Sequence, residues 1–189
     1  MSHHENLKIL TFVGLTGSGK STAVQYFTEK GLPRVYFGGF AYDIMAQRGI
    51  PLGEQQEKEF RVQIRRSEGE DVYAKRAIDQ IHHLVSSGQH RIIVDGLYSW
   101  AEYRTLKHAF PGEMTTVALV APKHLRYHRL ATRSERPQTP EISQERDYSE
   151  IEDIQKGGPI AMADFFVANN ENVESFYKQL DAIALHVEF

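Results

Sequence analysis

The nine-residue stretch GLTGSGKST follows the apolar run KILTFV near the start of the chain, and it constrains the fold more than any other segment. Its glycines are too dense for a helix, and its Lys-Ser-Thr end is too polar for a core. The apolar run before it is typical of a buried strand. Residues 21–30 predict a helix that Gly31 and Pro33 close. We therefore expect a strand–loop–helix unit.

The loop of this unit fits the P-loop pattern G-x-x-x-x-G-K-[ST], with a strand before it and a helix after it. Glycines allow successive N–H groups to point at one anion, and the helix start adds the positive end of its dipole. Lys20 is expected to reach the β- and γ-phosphates of a nucleotide, and the Ser21 hydroxyl to bind Mg²⁺. A plain glycine-rich turn is the alternative. The predicted cofactor-binding residues are Gly14, Thr16, Gly17, Ser18, Gly19, Lys20, Ser21 and Thr22.

Apolar runs alternate with helix-period segments along the rest of the chain. The predicted strands are KILTFV, RVYF, RIIVD, TTVALVA and DFFVAN. Helices are predicted at residues 21–30, 41–48, 54–67, 71–88 and 100–108, after Pro122 to about 135, at 143–155 and from 173. Strands that are apolar throughout and separated by helices predict a parallel sheet covered on both faces, which is a three-layer α/β domain.

Composition narrows the class of function. The chain has 189 residues, a net charge of −3 and no cysteine. The length suits one domain, the weak negative charge disfavours nucleic acid as the main partner, and disulfides or thiolate sites are excluded. No apolar run approaches the ~20 residues that span a membrane, and the start lacks the apolar core of a signal peptide. We expect a cytoplasmic protein with a small-molecule partner.

An aspartate closes the third predicted strand, RIIVD. In a P-loop protein an acid at such a strand end faces the phosphates, where it holds Mg²⁺ through water or orients the attacking group. Asp95 is therefore a candidate catalytic and metal-binding residue, together with Ser21 for the metal. The alternative is a turn aspartate in an Asp-Gly pair.

A row of arginines follows the fourth strand. Arg126, Arg129, Arg133 and Arg136 are spaced three, four and three apart, which places them on one face of a predicted helix. Guanidinium groups stabilise the charge that spreads over a transferring phosphoryl group. Arg129 and Arg133 are the candidate catalytic arginines, and a solvated helix face is the alternative. The polar, proline-marked stretch after them suits a lid that excludes water.

Four segments together resemble a known family. GLTGSGKST, VDGLYSWAEY, RYHRLATR and ADFFVANN occur in the order found in P-loop nucleotide and nucleoside kinases, and are most similar to the dephospho-CoA-kinase-like group with its archaeal-type relatives. The resemblance covers nearly the whole chain. It implies one kinase domain over residues 1–189, with an acceptor region at about 38–76 and a helical lid at about 126–156. It also implies a five-stranded parallel sheet in the order 2-3-1-4-5.

The resemblance implies a function as well. It indicates ATP- and Mg²⁺-dependent transfer of the γ-phosphate to a nucleotide-like acceptor, with Lys20, Asp95, Arg129 and Arg133 as the catalytic set. A (deoxy)nucleoside monophosphate kinase, or an ATP-binding regulator without small-molecule transfer, remain as alternatives.

The departures from this family fall on the acceptor side. Gly38 and Gly39 stand where the family usually carries an acid, and Tyr98 stands where relatives often carry an arginine. The segment between the second and third strands supplies candidate acceptor-binding arginines at positions 61, 65 and 66. Candidate stacking aromatics are Tyr42, Tyr98, Trp100 and Tyr103, with core packing as the alternative.

Overall fold

The structure, a computed structural model, describes residues 6–189, and the side chains of Glu54 and Lys58 are outside that description. Residues 1–5 of the predicted 1–189 domain therefore lie outside the described residues. The strands are β1 (Lys8–Val13), β2 (Arg34–Tyr36), β3 (Arg91–Asp95), β4 (Met114–Val120) and β5 (Phe165–Ala168). Each predicted strand is present, with bounds that differ from the prediction by one residue or less at either end.

The strands form one parallel sheet in the order β2-β3-β1-β4-β5, which confirms the predicted order. Lys8 of β1 pairs with Arg91 of β3, and Ile9 pairs with Met114 of β4. Asp95 at the end of β3 lies beside Phe12 of β1 and Tyr36 of β2. The loops that follow β1 and β3 therefore emerge at the same edge of the sheet, where α/β proteins place their ligands.

Helices connect the strands throughout the described residues. They are α1 (Lys20–Thr28), α2 (Phe37–Gln47), α3 (Glu54–Glu68), α4 (Val72–Ser86), α5 (Trp100–Ala109), α6 (Lys123–Thr132), α7 (Pro140–Glu152), α8 (Gly157–Ala161) and α9 (Val173–His186). In this part of the chain, no helix combines the length and the apolar character that crossing a membrane requires.

Two hydrophobic clusters cover the two faces of the sheet. Ile9 and Val13 of β1 pack with side chains of α2, α4 and α5. The alternating residues of the same strand, Leu10 and Phe12, pack with side chains of α1 and α9. Because successive strand residues point to opposite faces, this division produces the three layers that the apolar strands predicted.

A capping box begins α5. The Ser99 hydroxyl accepts the N–H of Glu102, and the Glu102 carboxylate accepts the N–H groups of Tyr98 and Ser99 at 2.9 Å. This reciprocal arrangement satisfies N–H groups that the helix cannot pair within itself. It fixes the turn that leads from Asp95 into α5.

Some helix bounds differ from the prediction. The helix α6 ends at Thr132 and not near residue 135, because no buried apolar side chain follows Leu130 before Pro137. The helix α7 begins at Pro140, where the Thr139 hydroxyl caps it, and α2 begins at Phe37, where a strand residue was expected. The short helix α8 was not predicted.

Candidate active site

The loop between β1 and α1 depends on glycines whose backbone other residues adopt with difficulty. Gly17 has a φ of 83°, and Gly19, which precedes α1, has a φ of 106°. A Cβ at Gly19 would also lie 2.3 Å from Nδ2 of Asn169. The loop keeps this shape only with glycine at these positions, and it places the N-terminus of α1 at a cavity that an anion can enter.

The Lys20 side chain forms hydrogen bonds to backbone carbonyls of its own loop. Its Nζ donates to the backbone oxygens of Gly14 at 2.7 Å and Leu15 at 3.0 Å. Burial, and then the nearby Lys156 ammonium, lower the pKa of Lys20 to about 7. An anion that enters the cavity would stabilise the charged form of this buried lysine and so raise its lowered pKa.

A cavity of about 510 Å³ opens above the loop. Five of its lining side chains are basic and one is acidic. The lining residues are Thr16, Gly17, Gly19, Lys20, Ser21, Thr22, Tyr98, Arg129, Leu130, Arg133, Arg146, Glu150 and Lys156. The structure thus brings most of the predicted loop residues to one cavity together with Arg129 and Arg133. Gly14 and Ser18 do not line it, and Ser18 is buried.

Glu150 of α7 closes over the loop. Its carboxylate accepts the Thr16 hydroxyl at 2.7 Å and pairs with the Lys156 Nζ at 2.7 Å and with the Arg146 Nε at 3.3 Å. Burial by itself would raise the pKa of Glu150, but the Lys156 ammonium and these hydrogen bonds lower it to about 2. Glu150 therefore stays charged and holds the start of α8 to the loop.

Glu150, Lys156 and Arg146 were not predicted as site residues. They lie in a polar stretch with no motif, and the only signal for them was the expectation that this stretch forms a lid. Lys156 is 1% exposed, which is rare for a lysine, and its Nζ lies 5.0 Å from the centre of the Tyr98 ring.

Asp95 lies at the end of β3, next to the cavity but not in its lining. An Arg34 nitrogen lies 2.5 Å from its carboxylate, whose side chain is 16% exposed. Burial raises the pKa of Asp95, and the Arg34 guanidinium opposes that rise. The position agrees with the predicted acid at the strand end, whereas the ion pair with Arg34 was not predicted.

The prediction that four arginines share one helix face is wrong, because α6 ends before two of them. Arg133 follows the helix in an extended conformation, and Arg136 has a φ of 49°. Arg133 still lines the cavity, and its Nε donates to the carbonyl of Arg136 at 2.6 Å. Arg136 does not line this cavity, and instead lines a separate surface pocket that Tyr42 and Arg133 also line.

The two arginines inside α6 support the loop from behind. Arg126 is buried, forms two hydrogen bonds of 2.8 and 2.6 Å to Asp147 of α7, and donates to the Thr16 carbonyl at 3.0 Å. Arg129 donates to the backbone oxygen of Asn169 at 2.9 Å while it lines the cavity. The solvated-face alternative therefore fails for both side chains.

Asn169 is a further residue that sequence reasoning did not single out. It follows β5, and its Nδ2 donates to the carbonyl of Ser18 at 2.9 Å. The signal was present, since this asparagine belongs to the ADFFVANN segment that carried the family resemblance. Its amide positions the loop, because it binds the Ser18 carbonyl and lies against Gly19.

The four candidate stacking aromatics lie at different places in the fold. Tyr98 lines the cavity, and burial raises its pKa beyond the usual range of tyrosine. Trp100 and Tyr103 stack on each other with ring centres 5.4 Å apart, and Gly158 packs against Trp100. Tyr42 lies near Arg136. Only Tyr98 is thus placed at the cavity above the loop.

The two glycines at the start of α2 have a packing reason. A Cβ at Gly38 would lie 2.3 Å from the Tyr36 hydroxyl oxygen, and one at Gly39 would lie 3.2 Å from the Tyr36 ring. The Tyr36 side chain therefore lies over this turn, where an acid would have no room. Arg66, a candidate acceptor residue, lines a shallow surface groove of α3 and not the cavity.

The fold and this site define a class. A parallel sheet in this order, with a P-loop after β1 and an acid after β3, is the P-loop NTPase fold in its kinase form. Two solved structures share the fold over nearly their whole length. TT1252 from Thermus thermophilus has a TM-score of 0.68 and 16% identity, covering 95% of this chain and 97% of that one. Shikimate kinase from Bacteroides thetaiotaomicron has a TM-score of 0.60 and 11% identity, covering 96% and 99%.

Sequence comparison places the chain further. Residues 10–155 match the family model described as AAA domain. The chain is 32% identical over 178 residues to the UPF0200 protein of Thermococcus onnurineus, which covers 93% of this chain and 95% of that protein. The chain therefore belongs to the AAA domain family and also to the family of UPF0200 proteins.

Proposed function

We propose that the chain is an ATP-dependent small-molecule kinase. The observation that carries this proposal is the 510 Å³ cavity, where the N-terminus of α1 and five basic side chains converge beside the Asp95 carboxylate. A basic cavity of this kind suits a triphosphate, and a mostly buried acid at its edge suits a second substrate.

The roles follow from the positions. The loop from Gly14 to Thr22 binds the phosphates, and Lys20 turns from its carbonyl partners to the β- and γ-phosphates. Ser21, on the first turn of α1, would hold Mg²⁺ directly and Asp95 would hold it through water, and the ion would shield the charge of the phosphates. Mg²⁺ takes much of its coordination shell from phosphates and water, so few protein ligands would be needed.

Transfer requires a base, an acceptor and a shielded site. An acceptor hydroxyl oxygen bonds to the γ-phosphorus, the bond from that phosphorus to the β–γ bridging oxygen breaks, ADP leaves, and Asp95 takes the hydroxyl proton. Arg129 and Arg133 stabilise the charge on the transferring group. The lid region, about 126–156, excludes water, and the acceptor region, about 38–76, supplies the second pocket.

A panel of candidate acceptors is needed to identify the second substrate. Nucleotide-like acceptors, with dephospho-CoA first and nucleoside monophosphates second, follow from the family resemblance. The fold shared with a shikimate kinase adds hydroxy acids to the panel. Release of Asp95 from Arg34 is part of the proposal, because a carboxylate paired at 2.5 Å is a weak base.

The test combines binding with turnover. Calorimetry with ATP and Mg²⁺ should show binding to the wild type and its loss in Lys20→Ala, while Lys30→Ala, a partly exposed lysine outside the cavity, should bind normally. A coupled ADP assay with dephospho-CoA, nucleosides, nucleoside monophosphates and shikimate should then identify an acceptor. Tight ATP binding without transfer to any of them would contradict the kinase proposal.

One observation favours a second candidate. Phosphoryl transfer needs a free acid, and Asp95 is paired with Arg34. A nucleotide-binding regulator that transfers no phosphate therefore agrees with the same geometry. This candidate requires ATP binding, slow or absent hydrolysis, and no response to any acceptor. The variant Arg34→Gln separates the two, since it frees Asp95 and should raise turnover only in a kinase.

A further inference from the structure

A second, smaller pocket adjoins the P-loop cavity. It has a volume of about 190 Å³ and shares Tyr98, Arg146 and Glu150 with the larger cavity. Its other walls come from α2, α3, α4 and the turn that follows α7. They are formed by Phe37, Gly38, Ala41, Arg61, Arg65, Tyr73 and Ile154. A molecule bound here would lie directly beside the loop that holds the nucleotide in the proposed function.

Two hydrogen-bond donors in its wall lack partners among the described residues. The Tyr73 hydroxyl is buried without a hydrogen bond, in a side chain that is 3% exposed. The Arg65 Nε is also buried without a partner, although another nitrogen of this guanidinium pairs with Glu102 at 3.1 Å. Buried polar groups are nearly always satisfied, so two unsatisfied donors in one small pocket indicate a missing acceptor of hydrogen bonds.

The charge of the pocket wall indicates that the missing hydrogen-bond acceptor is negatively charged. Arg61, Arg65 and Arg146 line the pocket, and Glu150 is its one acidic lining residue. Glu150 already pairs with Lys156, and Arg61 contacts Glu57 only at 3.4 Å. Burial raises the pKa of Tyr73, so its hydroxyl keeps the proton that it would donate.

We infer that this pocket binds an anionic oxygen group of the phosphate acceptor, through the Tyr73 hydroxyl and the guanidinium groups of Arg61 and Arg65. A phosphate monoester and a carboxylate share this chemistry. Cavities for whole drug-sized ligands are ~300 Å³ or larger, so the pocket suits the charged group and not an entire nucleotide. The identity of the ligand as a phosphate acceptor rests on the proposed function, whereas the anion site itself does not.

The test measures binding and not turnover. Wild-type protein saturated with a non-hydrolysable ATP analogue and Mg²⁺ is titrated with two matched pairs of probes. AMP is compared with adenosine for the phosphate, and D-gluconate with D-glucose for the carboxylate. The charged member of at least one pair should bind, and its uncharged partner should bind at least tenfold more weakly, because hydrogen bonds to charged groups are the stronger ones. The pair that responds identifies the source of the anion.

Two variants assign that binding to the pocket. Tyr73→Phe removes only the hydroxyl, and Arg61→Gln removes one charge; each should weaken the anion about tenfold or more while the affinity for the ATP analogue stays unchanged. Arg66→Gln, on the same helix but in the surface groove, is the matched control and should bind the anion normally. Tyr73→Phe should fold at least as stably as the wild type, since it removes a polar group without a partner.

Each result decides the question. Equal binding of charged and uncharged probes, or full anion affinity in Tyr73→Phe, would overturn the inference, as would no binding by any anion. Failure of the ATP analogue to bind would count against the proposed function alone. The same titrations on nucleotide-free protein would then test the pocket, because binding there depends on Tyr73, whereas anion binding at the P-loop depends on Lys20.

Discussion

The Glu150 carboxylate accepts the Thr16 hydroxyl at 2.7 Å, although 134 positions separate the two residues along the chain. The same carboxylate pairs with Lys156, which is almost completely buried. One acidic side chain of α7 thus ties the P-loop to the residue that starts α8. The α7 side of the cavity is therefore coupled to the P-loop.

The first prediction concerns this tie. Glu150→Gln should lower the free energy of unfolding at pH 7 by about 3 kcal/mol, because it leaves the Lys156 ammonium buried without its counter-ion. The change is measured by urea unfolding. Glu152→Gln, an exposed acid on the same helix, should change it by less than about 0.5 kcal/mol. The double variant Glu150→Met with Lys156→Met should recover most of the loss, and no recovery would show that the pair is not the cause.

The pH dependence of the same pair has a defined sign. The pKa of Glu150 is about 2 in the folded protein, below its ordinary value of 4.5. Its contribution to stability is therefore complete above about pH 4.5 and is lost as the pH falls toward 2. The difference in unfolding free energy between wild type and Glu150→Gln should shrink over that window. A difference that stays constant down to pH 2.5 would refute the assignment.

The second prediction concerns proton uptake by Lys20. At pH 8 most Lys20 side chains of the free protein are uncharged, since their pKa is about 7. A bound triphosphate favours the ammonium, so about one proton should be taken up per nucleotide, and the affinity should fall with rising pH above about 7. Calorimetry at pH 8 in Hepes and in Tris measures the uptake from the difference in binding heat. Lys30→Met should keep it, and equal heats in both buffers would contradict the prediction.

The sequence was most informative where local pattern decides the structure. The apolar runs predicted every strand, and the P-loop pattern placed Gly17, Gly19, Lys20 and Ser21 at one cavity, because the loop and helix geometry are encoded within a dozen residues. The strand order was available only through the family resemblance. Apolar runs alone specify parallel pairing but leave the order of the strands open.

The remaining features depend on contacts between distant segments. Glu150 contacts the loop and pairs with Lys156 because α7 packs beside the loop, and no spacing in the sequence indicates these contacts. Arg34 reaches Asp95 because β2 and β3 are neighbours, which is a fact of sheet order. The end of α6 before Arg133 reflects a lack of apolar side chains to bury, which the regular arginine spacing concealed.

The third prediction compares the catalytic contributions of Arg133 and Arg136. Arg133→Ala should lower kcat by about 10²-fold with little change in stability, because Arg133 lies outside the helix and lines the cavity. Arg136→Ala is the matched control, since its exposed side chain lies outside that cavity, and it should leave kcat nearly unchanged. Steady-state kinetics with the identified acceptor measures both. Equal effects of the two substitutions would mean that Arg133 acts only through the overall positive charge of the segment that follows α6.

The fourth prediction concerns the brace behind the loop. Asn169→Ala removes the hydrogen bond from Nδ2 to the Ser18 carbonyl, one of about 1 kcal/mol, so the affinity for ATP should fall about fivefold. The effect should appear in the affinity and not in the choice of acceptor, because Asn169 contacts the loop and lies apart from the smaller pocket. Asn170→Ala, at the neighbouring exposed position, should bind ATP as the wild type does. If both variants bind equally well, the loop holds its shape without the asparagine, and the positive-φ glycines alone maintain it.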